Sequence, residues 1–271
     1  DQKIPMAFFS FEMSDVQLAN RLMANACKVD SKKLLSGQLD RSDWLRLDKN
    51  IEKLKEAPLY IDETEGVSVM ELRTKARRLV KEHGVKLIMI DYLQLMTASG
   101  MNYNSRQEEV SLISRSLKGM AKELNIPVLA LSQLNRGVES RNGPEGKRPQ
   151  LSDLRESGAI EQDADMVIFL HRPAYYGIYM SSDGLIDYTD KAEVIISKHR
   201  KGATGIVMMK FVGEFTRFEN CEDPAMVNRP PTEGGEILGS KINGANNDVL
   251  FSPEEYDPFK LAVMNGYRGS D

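Results

Sequence analysis

Cysteine is scarce in this chain of 271 residues, and long apolar runs are missing. The two cysteines, Cys27 and Cys221, form no C-x-x-C pair, so the sequence offers neither a disulfide scaffold nor a cysteine framework for a metal. Apolar runs such as residues 87–90 are far shorter than the roughly 18 residues that suggest a membrane span. We therefore expect a cytoplasmic protein without a membrane-spanning segment.

A large excess of one charge is also missing, because the chain has 36 Lys and Arg residues and 40 Asp and Glu residues, which gives a formal net charge of -4. This mild acidity argues against a surface coated in positive charge, but a local basic groove or channel could still hold nucleic acid. A hydrophobic fraction of 41% excludes wholesale disorder and suffices for a sizeable core. Because the chain starts at Asp1 without a leader-type segment, we expect it to be a piece of a longer protein.

Short apolar strands alternate with amphipathic helices over the first 133 residues. The predicted strands are residues 5–10, 59–61, 86–91 and 127–133. The predicted helices are residues 14–27, 41–56, 68–83 and 105–124. Strands that are apolar throughout, rather than alternating, indicate a parallel sheet with helices on both faces. The pattern therefore predicts an α/β fold.

The pattern changes after Gln133. Residues 137–150 are rich in Gly, Pro, Arg and Glu, a composition typical of a mobile loop. Further strands are predicted at residues 165–170, 193–198 and 205–211. A loop with four tyrosines separates the first two of them, and we favour packing against the fold over base stacking for these rings. Residues 221–271 lack periodicity and are predicted to be a flexible tail, so the folded domain spans residues 1–220.

Three of the predicted strands lead into polar side chains. Asp91 ends one strand, Gln133 ends another, and Glu12 follows the first strand. An open parallel sheet binds its ligand at the carboxyl ends of its strands. There, one carboxylate could hold Mg²⁺ with nucleotide phosphates, a second could polarise the attacking water, and an amide could sense the γ-phosphate. Each residue alone also fits a turn cap or a solvated side chain, but the three together favour a nucleotide site.

Four segments, taken together and in this order, resemble a known family. They are FSFEMS at residues 9–14, IDYLQL at 90–95, LSQLNR at 131–136 and SDLRESGAIEQDAD at 152–165. On these segments, residues 1–220 resemble the C-terminal, RecA-like motor domain of bacterial replicative DNA helicases of the DnaB type. The resemblance implies a RecA-like P-loop NTPase core with a mostly parallel sheet. It also implies a homohexameric ring that uses ATP and Mg²⁺ to move along single-stranded DNA and unwind duplex DNA at the replication fork, with primase and a helicase loader as partners.

The resemblance assigns roles by position. It implies that Glu12 is the catalytic glutamate, Asp91 the Walker B aspartate and Gln133 the phosphate sensor. Lys198 and Arg200 lie in a stretch that resembles the Lys-x-Arg-x-Gly sequence of the family, whose Lys and Arg reach the nucleotide site of the neighbouring subunit. Without the family, a Lys-x-Arg pair at a strand end would be interpreted as surface charge.

The resemblance also implies a loop that grips DNA. Arg155, Glu156 and Gly158 match the family's DNA-contact loop. Arginine supplies a charge to a phosphate, and glycine lets a main-chain N–H group approach the same strand. Contacts of this kind carry no sequence information, as translocation along DNA requires.

The sequence departs from the family pattern at the phosphate-binding loop, because no G-x-x-x-x-G-K-[ST] occurs. In the family this loop comes just before the first strand, so we expect the chain to begin after it and to be inactive alone. Two alternatives stay open. A RecA-like recombinase or ring-shaped kinase is disfavoured by residues 153–165 and by the pair Lys198 and Arg200. A non-catalytic binding module that has lost its phosphate loop would be excluded by finding that loop upstream of Asp1.

Overall fold

The computed structural model describes residues 3–143 and 145–221, with the side chains of 155–157 excepted. The predicted tail lies outside the described residues from position 222 onward. The first half of the chain contains β1 (Met6–Ser10), α1 (Asp15–Cys27), α2 (Ser31–Ser36), α3 (Arg41–Lys55), β2 (Leu59–Asp62), α4 (Val69–His83), β3 (Leu87–Asp91), α5 (Arg106–Leu124) and β4 (Val128–Ala130). The second half contains α6 (Gly137–Ser140), α7 (Gly158–Asp163), β5 (Met166–His171), β6 (Lys191–His199), β7 (Gly205–Val212) and β8 (Arg217–Asn220).

The first sheet is parallel, with the order β2-β1-β3-β4. One face carries the fully buried side chains of Phe9, Ile88 and Ile90. They pack in one hydrophobic core with Leu72 of α4 and Ile113 of α5. The predicted α/β fold, with continuous apolar strands in a parallel sheet, is therefore confirmed.

The opposite face of this sheet is less well covered. Phe8, Met89 and Leu129 lie side by side on adjacent strands. Phe8 and Met89 are half-buried, and Leu129 is 44% exposed. Among the described residues, the two faces of the sheet are thus covered unequally.

The second sheet, β5-β6-β7-β8, is antiparallel throughout. Short turns join β6 to β7 and β7 to β8, and such turns can connect antiparallel strands, whereas parallel strands need a long crossover. The strands β5 to β7 were expected within a residue or two of their observed ends, and β8 was not expected.

The strand predicted for residues 127–133 ends early, at Ala130. Beyond it, the carbonyl oxygen of Leu131 accepts from the N–H group of Leu93 over 2.9 Å. The chain after β4 is therefore bonded to the turn that follows β3, and the residues up to Gln133 lie in an irregular segment.

Side-chain caps set the helix starts as the sequence predicts. Ser14 and Gln17 form a reciprocal capping box at α1, and the Ser68 hydroxyl accepts from the N–H group of Glu71 at α4. The short helix α2, capped by Asp30, was not expected. Within the described residues, no helix is long and apolar enough to cross a membrane.

The segment with the composition of a mobile loop is partly helical. It contains α6 and a 3₁₀ turn at Glu145–Lys147. Ion pairs from Arg141 to Asp153 and from Arg148 to Glu193 tie it to the following turn and to β6. In the tyrosine loop, Tyr175 is 73% exposed and Tyr179 is 56% exposed, whereas Tyr176 and Tyr188 are half-buried. The predicted packing against the fold therefore applies only to Tyr176 and Tyr188.

Candidate active site

The carboxyl ends of β1, β3 and β4 form one open cleft of about 240 Å³. The three strands are adjacent and parallel, and Ser10 of β1 pairs with Asp91 of β3. Glu12, Asp91 and Gln133 line the cleft together with Tyr92, Leu131 and Ser132. The structure therefore brings together the three polar residues that the sequence places at strand ends.

Main-chain bonding holds Glu12 beside Asp91. The N–H group of Phe11 donates to the carbonyl oxygen of Asp91 over 2.8 Å, which continues the pairing of β1 with β3 by one step. The buried hydroxyl of Ser10 donates to the carbonyl oxygen of Met13 over 2.7 Å and closes the turn that contains Glu12. The exposed Glu12 side chain is thereby presented at the edge of the cleft from a constrained turn.

The electrostatics of the cleft suit a cation. Burial raises the pKa of Asp91 above its usual range, and the nearby charge of Glu12 raises it further, while Arg21 acts in the opposite direction. A site in which one carboxylate raises the proton affinity of another also favours a bound cation. The described residues contain no cluster of three His, Cys, Asp or Glu side chains that could form an all-protein metal cage. Mg²⁺ bound with phosphates needs only one or two carboxylates, so Asp91 fits that ion and leaves Glu12 free to contact water.

Lys198 and Arg200 lie outside the cleft lining. They are at the end of β6, where Lys198 donates to the carbonyl oxygen of Glu161 and Arg200 to that of Gln162. Arg200 also lies 3.6 Å from a carboxylate oxygen of Asp165. Both cations are therefore bound to the carboxyl-terminal end of α7 in their own subunit.

The ring of His199 packs against Gly202, the glycine that follows Arg200 in this stretch. A Cβ atom at Gly202 would overlap Cε1 of the His199 ring. Contacts below 3.0 Å require the ring to move. A side chain at this position would therefore displace His199, which lies between the two cations.

The predicted DNA-contact residues lie at the start of α7. The main chain of Arg155 and Glu156 belongs to the 3₁₀ helix Leu151–Ser157, and their side chains lie outside the described part of the structure. Gly158 has an ordinary helical conformation, and an added Cβ atom would meet no atom within 4 Å. Neither the backbone conformation nor the packing of the described residues therefore requires glycine here, and close approach of a partner stays the predicted reason.

A buried charge braces the turn that precedes Gly158. Asp153 is 4% exposed, accepts from the N–H group of Gln150 over 2.7 Å and forms an ion pair with Arg141. Asp153 lies inside a segment that resembles the family, but no role was predicted for it. Its part in the structure follows from a contact between residues 141 and 153 that no local pattern predicts.

A family model described as the DnaB-like helicase C terminal domain matches residues 1–220. The chain is 46% identical over 217 residues to the replicative DNA helicase DnaC of Bacillus subtilis (strain 168), covering 80% of this chain and 46% of that protein. It is 45% identical to the replicative DNA helicase DnaB of Geobacillus stearothermophilus, with the same coverage. The chain thus spans about half the length of the curated relatives it matches.

Two solved structures are also similar to this chain in fold and in sequence. One is the structure of a DnaB-like replicative helicase studied with its interactions with primase, with a TM-score of 0.73 and 38% identity over 82% of this chain and 52% of the other. Another is the structure of an ATPase domain, with a TM-score of 0.72 and 38% identity over 82% of this chain and 76% of the other.

Proposed function

Because this chain belongs to the family of DnaB-like helicase C-terminal domains, we propose that it is the motor domain of a hexameric replicative DNA helicase. The full-length protein would couple ATP hydrolysis to movement along single-stranded DNA and to unwinding of the duplex. The observation that carries this proposal is the convergence of Glu12, Asp91 and Gln133 on one cleft at the carboxyl ends of parallel strands. This edge of an α/β sheet is where nucleotides bind.

In the proposed reaction, the oxygen of a water molecule bonds to the γ-phosphorus of ATP, the bond from that phosphorus to the bridging oxygen breaks, ADP and phosphate are released, and a proton of the water passes toward Glu12. Glu12 accepts a hydrogen bond from this water and orients it, because its carboxylate extends from a constrained turn at the edge of the cleft. Asp91 would hold Mg²⁺ through water, and the ion would supply positive charge to neutralise the phosphate oxygens. Gln133 donates from its side-chain amide to the γ-phosphate or to the water beside it.

Two further groups of residues extend the proposal beyond one subunit. Lys198 and Arg200 would reach the nucleotide bound by the neighbouring subunit, where their charges would neutralise the transferred phosphoryl group. Arg155, Glu156 and Gly158 would bind the backbone of single-stranded DNA. One solved relative was studied with its interactions with primase, which supports primase as a partner here.

The decisive experiment compares ATP hydrolysis and strand displacement by the full-length protein and its Glu12→Gln variant. We expect a loss of at least about 100-fold in kcat with ATP binding retained, because Gln keeps the size of the side chain but accepts the water proton poorly. Glu82→Gln is the matched control, since Glu82 is an exposed glutamate in the last turn of α4, before the amino end of β3, and does not line the cleft. Full activity of Glu12→Gln would refute the assignment, and a wild-type protein without DNA-stimulated hydrolysis would refute the function.

A further inference from the structure

The side chain of Gln94 binds the main chain next to the proposed phosphate sensor. Its Nε2 atom donates to the Ser132 hydroxyl over 2.9 Å and to the carbonyl oxygen of Gln133 over 3.2 Å. Its Oε1 atom accepts from the N–H group of Gln133 over 3.2 Å. Gln94 therefore pairs with both polar main-chain groups of Gln133, as the backbone of an adjacent strand would.

This pairing occurs where the sheet no longer supplies it. Regular pairing of β4 ends at Ala130, and Gln133 is exposed at the edge of the cleft. Ser132 and Gln133 thus lie beyond the strand, although the proposed role of Gln133 requires its side chain to be held at a fixed position in the cleft. The contact spans 39 residues of sequence, so it joins the turn after β3 to the end of β4.

Gln94 is itself held from the opposite side. Its carbonyl oxygen accepts from the guanidinium of Arg106, which also forms an ion pair with Glu109. Glu109 is 5% exposed and accepts from the N–H group of Ala98 over 3.0 Å. A buried carboxylate thus anchors the arginine, and the arginine anchors the turn that carries Gln94.

We propose that Gln94 is a positioning residue that holds the main chain of Gln133, so that the Gln133 amide faces the γ-phosphate during hydrolysis. Gln94 acts through Gln133 and does not itself contact the nucleotide. This inference rests on the proposed function. It adds a residue that links the turn after the strand of Asp91 to the main chain of the sensor.

The first test uses the 271-residue chain and needs no activity. Hydrogen exchange of the Gln133 N–H group should be at least about 10-fold faster in Gln94→Met than in the wild type, because methionine fills similar space but accepts no comparable bond. The N–H group of Leu131, bonded to the carbonyl oxygen of Ile90, is the internal reference and should not change. Equal exchange at Gln133 in both proteins would overturn the proposal.

The second test measures ATP hydrolysis by full-length proteins with Gln94→Met, with Gln133→Ala, and with both changes. We expect Gln94→Met to lower kcat about 10-fold with little change in KM, and the double variant to match Gln133→Ala alone. If the loss in kcat of the double variant equals the product of the two single losses, Gln94 acts by another route. An unchanged kcat in Gln94→Met would also overturn the proposal. Gln107→Met, on an exposed part of α5, is the matched control.

A conservative variant covers the case in which Gln94→Met does not fold. Gln94→Glu keeps an oxygen that can accept from the Gln133 N–H group but removes both bonds donated by Nε2. Its kcat should lie between those of the wild type and Gln133→Ala, whereas a kcat equal to the wild type would refute the role of the donated bonds. Failure of wild-type hydrolysis would refute the proposed function, while the hydrogen-exchange result would stand.

Discussion

Arg200 donates a hydrogen bond to the carbonyl oxygen of Gln162, in the last turn of the helix that begins at Gly158. The residue proposed to act on a neighbouring nucleotide is thus bound within its own subunit to α7. The other end of α7 is the proposed DNA-contact turn. To reach a phosphate, Arg200 must exchange a neutral carbonyl partner and the nearby Asp165 carboxylate for a more highly charged one.

A first prediction concerns this shared site. In the full-length protein, Glu12→Gln and Arg200→Ala should each nearly abolish ATP hydrolysis, since an arginine supplied to a neighbouring site is worth roughly 10³ to 10⁵ in rate. Mixing the two variants in equal amounts should restore about a quarter of the interfaces, because neighbours in a ring meet through different surfaces. The measurement is steady-state hydrolysis after verified subunit exchange. Mixed rings no more active than either parent would exclude Arg200 from the neighbour's site.

A second prediction concerns DNA binding. In the full-length protein, Arg155→Ala should weaken single-stranded DNA binding about equally for all sequences, because phosphate contacts carry no base information. The slope of log affinity against log salt should become shallower by about 0.7 for each subunit of the ring whose Arg155 neutralises one phosphate. Hydrolysis without DNA should persist. Fluorescence anisotropy over a salt titration measures the slope, with the exposed Arg78→Ala as control, and an unchanged slope would remove Arg155 from the DNA site.

A third prediction concerns the brace below the DNA-contact turn. Asp153→Asn should lower the free energy of unfolding by about 1–3 kcal/mol, because the substitution removes the buried charge that pairs with Arg141. Asp48→Asn, at an exposed site, should change stability by less than about 0.5 kcal/mol. Urea unfolding of the 271-residue chain measures both. Equal midpoints for Asp153→Asn and the wild type would show that the ion pair adds no net stability.

A fourth prediction concerns the pH dependence of stability. His171 is 4% exposed, and burial together with the charge of Arg148 lowers its pKa to about 4. An unfolded chain takes up this proton near pH 6.5, so between about pH 6.5 and 4 the unfolded state binds more protons. The contribution of the neutral His171 side chain to the free energy of unfolding is therefore complete above about pH 6.5 and is lost as the pH falls towards 4. The loss should reach roughly 3 kcal/mol at its largest.

The opposite pH dependence of stability is expected for Glu193, which is the strand partner of His171 across β5 and β6. Burial raises the pKa of Glu193, so its contribution grows as the pH falls. Urea unfolding from pH 7 to 4 should show a shallower loss of stability in His171→Gln than in the wild type, and a steeper loss in Glu193→Gln. Parallel pH profiles for all three proteins would contradict the direction given for both residues.

Local patterns in the amino-acid sequence were enough to predict the main elements and the location of the candidate site. Continuous apolar runs predicted the strands of the parallel sheet, Ser14 and Ser68 predicted two helix starts, and polar residues after three strands predicted the cleft. These features depend on bonds and periodicities within a few neighbouring residues. Local chemistry can therefore be inferred without knowing which segments meet.

The hydrogen bonds between polar groups far apart in the sequence, in contrast, could be identified only from the tertiary structure. Gln94 meets Gln133 across 39 residues, Arg200 meets Gln162 across 38, and Arg148 meets Glu193 across 45. None of these side chains follows a local pattern, because each could equally face water in an isolated segment. Their partners are set by how the strands and α7 pack. For this reason the sequence indicates the residues of the candidate cleft, while the contacts that hold its parts in position depend on tertiary packing.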